Sequence, residues 1–359
     1  MNIAELPTPA LLLDLELFEA NLRYMADYVA RAGKKLRPHA KAHKCVQIAK
    51  RQIAAGAVGV CVATVNEAEL MAKAGIPGVL LTSPVADRGK CTRMAALATI
   101  AEDISVAVDH LHQVQMYAEA AAQAGVKLNM VVDLDMGDHR TGVAPGVAAF
   151  ELARAITASP NLLFGGLQAY SVRASHMQEI EGRAEYSSGV LQGALDTLLL
   201  LQTHGIDTPV ITCGSSGSYA ADAALPYVTE LQAGSYALMD VAYARIGGIP
   251  FGHALTVLAT VISANHVDRV TVDAGFKAFA TDRPFGPDLL KLPGMRYAWA
   301  GDEFGYVFFD DARHRLALGD RLRFLPPHCD PTVNLYDRIH VCRANLVQDV
   351  WPVMDRYAR

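Results

Sequence analysis

The sequence predicts an α/β chain: a TIM-like (β/α)8 barrel joined to a C-terminal, mostly β domain. Three observations carry that prediction. Short runs rich in β-branched and aliphatic residues alternate with longer segments of helical period, eight such runs precede Gly248, and beyond Gly248 the runs continue with hardly any helix between them. Strand–helix alternation builds a parallel sheet, and eight units are enough to close it. An open doubly wound sheet is the competing arrangement. The expected domains are residues 16–245 for the barrel, with residues 1–15 and 246–359 forming the β domain.

The first helix rests on Phe18, Leu22, Met25 and Val29, which recur at helical spacing, with Gly33 as its stop. The strand KLRPHA follows and is expected to end at Lys41. A helix from about His43 to Ala55 leads to AVGVCVA, ending at Ala63. NEAELMAKAG reads as helix and PGVLLTS as the strand ending at Ser83. ISVAVD ends at Asp109, a helix runs to Gly125, and KLNMVVDLD ends at Asp135. A helix from Pro145 precedes LLFGGLQAY, ending at Tyr170, and a long helix up to His204 precedes TPVITCG, ending at Gly214. TELQAGSYAL is the eighth strand and holds Gly234, Ser235 and Tyr236. ALTVLATVIS, DRVTVDAG, RLRFLP and IHVCRANLV are the strands of the second domain. The opening PALLLDL has no place in the barrel count and is expected to complete the β domain.

Composition narrows the function. A chain of 359 residues is long for one ordinary domain unless that domain is a barrel, and 52% hydrophobic residues supply a large core. Only 19% are charged, which excludes a disordered chain. A net charge of −5 without a basic cluster argues against nucleic acid as a partner. The six cysteines form no CxxC pair and read as free thiols in a reducing compartment. The N-terminal apolar run is short and ends at Asp14, so neither a signal peptide nor a membrane span is expected there, and the chain reads as cytoplasmic.

The chemistry-bearing residues gather where barrels build active sites, at strand C-termini. Lys41 at the end of an inward-facing strand is costly unless paired or reacted, and a Schiff base to a cofactor aldehyde removes much of that cost. A rim salt bridge is the other reading of this lysine. The loop Gly214-Ser215-Ser216-Gly217-Ser218 offers hydroxyls and backbone N–H groups to a phosphate, although alone it is also an ordinary turn. The two features together ask for a phosphorylated aldehyde, and pyridoxal phosphate is that molecule. In PPHCDPTVNLYD, His328 and Asp330 are two residues apart. On a strand both would face one side. One nitrogen and one carboxylate suit a divalent cation, with Mn²⁺ the first expectation and Mg²⁺ or Zn²⁺ the others. A surface histidine beside a turn aspartate is the alternative. His110, His112, His204, His266, His314 and His340 form no cluster and read as ordinary.

Taken in order, RPHAKAHK, LDMGDHRTGV, LQAY, CGSSGSY, ELQAGSYALMD, DAGFKAF and HCDPTVNLYD resemble the D-threonine aldolase and D-serine dehydratase family. These are fold-type III pyridoxal-phosphate enzymes related to alanine racemase, and the resemblance covers nearly the whole chain. It implies that Lys41 is the Schiff-base lysine, that Arg140 lies near the ring hydroxyl and Tyr170 near the ring, and that Ser215, Ser216, Gly217, Gly234, Ser235 and Tyr236 hold the phosphate. It implies that His328 and Asp330 bind a divalent metal that grips a substrate β-hydroxyl, and that the chain pairs as a homodimer. His176 matches a family histidine and joins Lys41 as a catalytic expectation. The sequence departs from the family at Ser171 and Phe304, where histidines are common, and at Ala63, where glutamine is common. The implied reaction is lysis of a D-β-hydroxy-α-amino acid, such as D-threonine to glycine and acetaldehyde. A D-serine or D-3-hydroxyaspartate dehydratase, a D-3-hydroxyaspartate aldolase, a racemase and a non-catalytic pyridoxal-phosphate carrier are the alternatives.

Overall fold

The N-terminal apolar run forms β1 (Ala10–Asp14), which joins the second sheet and not the barrel. Asp14 then caps α1 (Leu15–Arg31), its carboxylate accepting the N–H groups of Glu16 and Leu17, each at 3.1 Å. Phe18, Leu22, Met25 and Val29 form the buried stripe of α1, and Gly33 follows at φ +65°. The computed structural model describes residues 1–178, 180–309 and 316–354.

Eight parallel strands and their helices follow in alternation. They are β2 (Lys35–Leu36), α2 (Val46–Ala54), β3 (Val60–Val62), α3 (Val65–Lys73), β4 (Val79–Leu81), α4 (Arg88–Leu97), β5 (Ser105–Val108) and α5 (Leu111–Ala124). Next come β6 (Leu128–Asp133), α6 (Val147–Ala158), β7 (Leu162–Ala169), α7 (Val172–Ser175), α8 (Ile180–Thr203), β8 (Val210–Cys213), α9 (Tyr219–Ala223) and β9 (Glu230–Leu231). The sheet order is β2-β9-β8-β7-β6-β5-β4-β3. Val58 N–H to Leu36 O and Cys61 N–H to Pro38 O, both 2.9 Å, and a parallel bridge between His39 and Cys61 close the ring. Helices cover the outside, so strands such as β3, β4 and β5 are buried throughout and read as continuous apolar runs. At the β2–β9 seam, Arg37 forks onto the buried Glu230 with two 2.9 Å bonds, and Thr212 donates to the same carboxylate at 2.9 Å.

After α10 (Val241–Arg245) the chain builds β10 (Leu255–Ser263), β11 (Arg269–Val272), β12 (Asp288–Leu289), β13 (Met295–Trp299), β14 (Gly305–Phe309) and β15 (Arg321–Leu325). The short helix α11 (Cys329–Val333) precedes β16 (Arg338–Arg343) and β17 (Leu346–Pro352). β1 lies between β10, antiparallel, and β16, parallel. The N-terminal strand therefore completes this second sheet, as its place outside the barrel count implied.

Three local expectations are corrected. β2 stops at Leu36, and Lys41 rides on a single 3-10 turn over Ala40–Ala42. β9 stops at Leu231, so Gly234, Ser235 and Tyr236 lie on and beside a 3-10 turn over Ser235–Ala237. His328 and Asp330 are not on a strand: His328 is the N-cap of α11 and Asp330 lies in its first turn. In each case the barrel strand or sheet ends early and the polar residues sit on the following turn, where backbone groups are free to face a ligand. β13, β14 and β17 carry no clear alternation and were not anticipated. Of the six histidines read as ordinary, His314 lies outside the described residues, and His340 has a buried Nδ1 without a hydrogen-bond partner. All six cysteines are unpaired and buried, and among the described residues no helix is long and apolar enough to cross a membrane.

The register of β7 depends on one glycine. The pairing with β6 shifts between Met130 and Val131, so Gly165 is bulged out and Gly166 takes φ +130°. A Cβ on Gly166 would stand 1.9 Å from Val210 O, whereas one on Gly33 would meet nothing within 4 Å. Gly166→Ala is therefore expected to cost about 3 kcal/mol or more, through strain plus overlap. Gly33→Ala should cost only about 1 kcal/mol, for its left-handed backbone alone. Urea unfolding of the two variants checks this, and equal losses would contradict the bulge argument.

Candidate active site

The turns at the C-terminal ends of the barrel strands enclose a cavity of about 480 Å³, within the range of small-molecule sites. Lys41 and His39 reach it from the turn after β2, Ala63 from β3, and Thr82 and Ser83 from β4. Arg140, Tyr170, Ser215, Ser216, Gly234 and Ser235 line the barrel side, and His176, Arg283, His328 and Asp330 complete the wall. Of the expected site residues only Gly217 and Tyr236 lie off this wall. A Cβ on Gly217 would stand 1.9 Å from Ser175 O. The Tyr236 ring is buried, with its hydroxyl 3.5 Å from Gln52 Nε2, and its backbone N–H donates to Ser216 Oγ at 2.7 Å.

The turn that carries Lys41 is fixed on both sides. His39 Nδ1 accepts the Lys41 N–H at 3.4 Å, and its Nε2 lies 3.1 Å from Thr82 Oγ1, which donates to Val62 O. Burial, with the Lys41 charge adding to it, holds His39 well below the usual histidine pKa, so its imidazole is neutral at pH 7. Gly234 has no room for a side chain here, because a Cβ would meet His39 O at 2.5 Å. The serine loop is organised from beneath. Ser215 Oγ accepts the N–H groups of Gly217 and Ser218 at 3.1 and 3.2 Å, and Ser218 Oγ donates to the buried Asp222 at 2.6 Å. Lys41, a loop of hydroxyls backed by glycines that exclude side chains, and the cavity size together fit a phosphorylated aldehyde.

The opposite wall holds the metal motif. His328 Nδ1 lies 2.7 Å from Asp282 Oδ2. Metal-binding histidines usually give their second nitrogen to a carboxylate in this way, which presents the other nitrogen to the ion. Asp330 Oδ1 accepts from Ser235 Oγ at 3.2 Å. Burial pushes its pKa up, but Lys41, His328, the Cys329 hydrogen bond and His39 together outweigh burial and leave it below the usual carboxylate range. The described residues contain no group of three or more potential protein ligands, so any ion at this pair would take its remaining ligands from water and substrate. His176 is 3.2 Å from Val172 O through Nδ1 and 3.2 Å from Arg283 through Nε2, and its ring stacks on Tyr243. Burial lowers its pKa, so Nε2 carries a lone pair at neutral pH. Ser171, in the position where a histidine was common, caps α7 by accepting the Ala174 N–H at 3.3 Å, and Phe304 is exposed.

Several polar residues at the site lie within or beside the quoted motifs without having been given a role. Gln168 donates to Thr82 O at 2.9 Å and Asp133 Oδ1 at 2.8 Å, Gln232 donates to Gln168 Oε1 at 3.2 Å, and Thr141 donates to Asp133 Oδ2 at 2.8 Å. The available signal was a glutamine inside each apolar run, in GGLQAY and in TELQAG. Arg283 and Asp282 come from the β11–β12 loop and gave no periodic signal at all.

Comparison with known proteins places the chain in a family. The family profile described as alanine racemase, N-terminal domain, matches residues 13–241, and that of a putative serine dehydratase domain matches residues 254–342. D-threonine aldolase of Arthrobacter sp is 40% identical, over 99% of this chain and 94% of that one. The chain belongs to the D-threonine aldolase and D-serine dehydratase family. Its members are fold-type III pyridoxal-phosphate enzymes, and the aldolases among them are lyases. 3-Hydroxy-D-aspartate aldolase of Paracoccus denitrificans (strain Pd 1222) is 35% identical, with 99% of this chain and 94% of that one aligned. The crystal structure of D-threonine aldolase from Filomicrobium marinum superposes with a TM-score of 0.96 at 38% identity, over 99% and 97% of the two chains.

Asp133 gives this family site a measurable pH signature. Burial raises its pKa to about 6, against the lowering effect of the Gln168 and Thr141 hydrogen bonds. Between about pH 4 and pH 6 the folded chain holds a proton there that the unfolded chain has lost, so this residue's contribution to stability falls as pH rises through that window. Asp133→Asn removes the term. Its stability relative to wild type should improve from pH 4 to pH 7 by about 2–3 kcal/mol, read by urea unfolding at both pH values. A difference that stays flat with pH would contradict a raised Asp133 pKa.

Proposed function

We propose that the chain cleaves a D-β-hydroxy-α-amino acid between Cα and Cβ, as in D-threonine to glycine and acetaldehyde. The observation that carries this reading is the presence of Lys41, the serine loop and the His328–Asp330 pair on one cavity. Lys41 would hold pyridoxal phosphate through its ε-amine. Ser215, Ser216, Ser235 and the Gly234 backbone would hold the phosphate end, with Arg140 and Tyr170 beside the ring, while Gly217 and Tyr236 would brace that loop through their N–H bonds to Ser215 and Ser216 Oγ. Arg140 already rests over the Tyr170 ring at 5.2 Å. The cofactor supplies an electron sink for the negative charge left at Cα. His328 and Asp330 would hold a divalent cation, with Mn²⁺ favoured, and that ion supplies Lewis-acid polarisation of the β-hydroxyl.

The remaining work belongs to the chain's own side chains. The β-hydroxyl proton must leave as its oxygen becomes a carbonyl, and Cα must then gain a proton. His176 is the candidate acceptor, because its Nδ1 is committed to Val172 O and its Nε2 is unprotonated and faces the cavity. Lys41 is the candidate group for the proton at Cα. The departures at Ser171 and Phe304 leave His176 as the matching family histidine on this wall. A racemase or a carrier would need Lys41 and the loop but has no use for His328 and Asp330. The six unpaired thiols support a reducing, cytoplasmic setting, and pairing of two chains through the β-rich half is the assembly we favour.

Incubation with D-threonine, D-serine and D-3-hydroxyaspartate tests the reading. Glycine plus an aldehyde is the expected product, whereas ammonia with a 2-oxo acid would make the chain a dehydratase. Borohydride reduction followed by peptide mapping should find the cofactor on Lys41, and a label elsewhere would sink that assignment. Chelation should abolish turnover while the yellow colour persists, and Mn²⁺ should restore it. His328→Ala and Asp330→Ala should behave like the chelated protein. Asp282→Asn should weaken the ion by roughly 10- to 100-fold, because it loses the carboxylate behind His328. Full turnover after exhaustive chelation would refute the metal's role.

A further inference from the structure

We propose that Arg283 binds the α-carboxylate of the substrate, an inference that rests on the reaction proposed above and identifies how its substrate is held. Among the described residues, three cationic side chains other than histidine line the cavity: Lys41, Arg140 and Arg283. Against them the cavity wall has one carboxylate, Asp330. The proposed reaction commits Lys41 to the cofactor, and Arg140 sits with Tyr170 on the barrel side. An amino acid brings one further negative charge that cannot be left unpaired in a partly dry site.

Arg283 has the geometry to meet that charge. It comes from the β11–β12 loop, on the same wall as His328 and Asp330. Its Nε lies 3.5 Å from Asp282 Oδ2 but is buried without a hydrogen-bond partner. One terminal nitrogen is 3.2 Å from His176 Nε2. The guanidinium is therefore held beside the reaction site with donor capacity left over, and a carboxylate is the planar, two-oxygen acceptor that a guanidinium matches best. Asp282 touches both Arg283 and His328. One carboxylate thus ties the group that would grip the α-carboxylate to the group that would grip the β-oxygen, and holds the two at a fixed spacing. Drawing Arg283 onto the substrate also takes its N–H away from His176 Nε2, which frees that lone pair for the proton transfer assigned to it.

The test separates the carboxylate from the rest of the substrate and does not depend on turnover. D-Alanine has no β-hydroxyl and is not cleaved, and D-alaninol is the same amine without the carboxylate. Both are titrated into the cofactor-loaded protein and followed by the change in cofactor absorbance. In Arg283→Gln the affinity for D-alanine should fall by roughly 10- to 100-fold, as for loss of a hydrogen-bonded charge pair, while that for D-alaninol stays within about twofold. Arg283→Lys should recover part of the loss, and it carries the test if the glutamine variant does not fold. In the same variants KM for D-threonine should rise more than kcat falls. The inference is overturned if D-alanine binds the variants as it binds wild type. It is also overturned if D-alanine and D-alaninol weaken together, or if D-alanine is spared while D-aspartate weakens, which would give Arg283 to a side-chain carboxylate. A wild-type protein that binds D-alanine but cleaves no D-β-hydroxy amino acid would instead remove the proposed reaction and leave the Arg283 result standing.

Discussion

The geometry of the site depends on a buried carboxylate that makes no contact with the cavity. Asp240 is fully buried at the start of α10, where the barrel ends, and burial pushes its pKa up. One oxygen caps α10 through Tyr243 N–H at 2.9 Å, and the other accepts Cys329 N–H at 2.8 Å, which begins α11. Val241 and Ala242 add backbone bonds to Pro326 O and Pro327 O at 3.0 and 3.2 Å. A single side chain therefore caps one helix from the barrel and one from the second sheet. Because a helix N-terminus has N–H groups with no partner of their own, each cap is specific in direction as well as favourable. This fixes His328 and Asp330, the residues at the start of α11, against the barrel mouth. The strand β1 works at a larger scale to the same end, since it passes from the second sheet straight into α1.

How much of this was legible follows from where each signal comes from. The barrel strands could be counted because helices cover the outer face of the barrel, so strands such as β3, β4 and β5 ran apolar throughout and the helices kept an apolar stripe. β17 lacked such a pattern because it is an edge strand that buries mainly Trp351. β13 and β14 bury alternate residues only partly and depend on ring contacts, such as Tyr297 against Trp299 at 5.1 Å. The site residues on turns after barrel strands were legible from the rule that such turns build active sites. His328 and Asp330 do line one cavity wall, but from the N-cap and first turn of α11 and not from a strand. Residues two apart do not share a helix face, but His328, as the N-cap, still has extended backbone. Asp240, Asp282 and Arg283 were not legible, because their roles depend on contacts between segments far apart in sequence.

The floor of the cavity explains why it can be both buried and polar. Asp133, Gln168 and Gln232 pass hydrogen bonds from strand to strand, and Thr141 and Thr82 O complete the set. Each amide offers donors and an acceptor, so the chain of bonds is satisfied with a single carboxylate among its members. A floor of paired charges would carry a larger desolvation cost. The cost that remains appears in Asp133 itself, whose pKa rises to about 6. Neutral amides at this depth also leave the field in the cavity to the groups on its walls, namely Lys41, Arg140 and Arg283 against Asp330.

Those walls divide the work between two parts of the chain. The barrel contributes Lys41, the serine loop, Arg140 and Tyr170, the set to which the proposed reaction gives the cofactor, and relatives with different reactions could share it. The loops of the second sheet contribute His328, Asp330, Asp282 and Arg283, the set to which the proposed reaction gives the substrate. Which bond to Cα breaks depends on orientation, since a bond is labile only when it stands perpendicular to the conjugated system that accepts its electrons. A substrate held by its amine alone can rotate about that attachment. The two further grips proposed above, at the α-carboxylate and at the β-oxygen, would stop the rotation and leave one bond in the reactive position. With both grips on a single wall and tied through Asp282, small changes in these loops would turn a different bond upright without disturbing the barrel. On the proposed reading the barrel would fix the cofactor and the second sheet the choice of bond, which is how one fold could serve both the aldolases and the dehydratases among this chain's relatives.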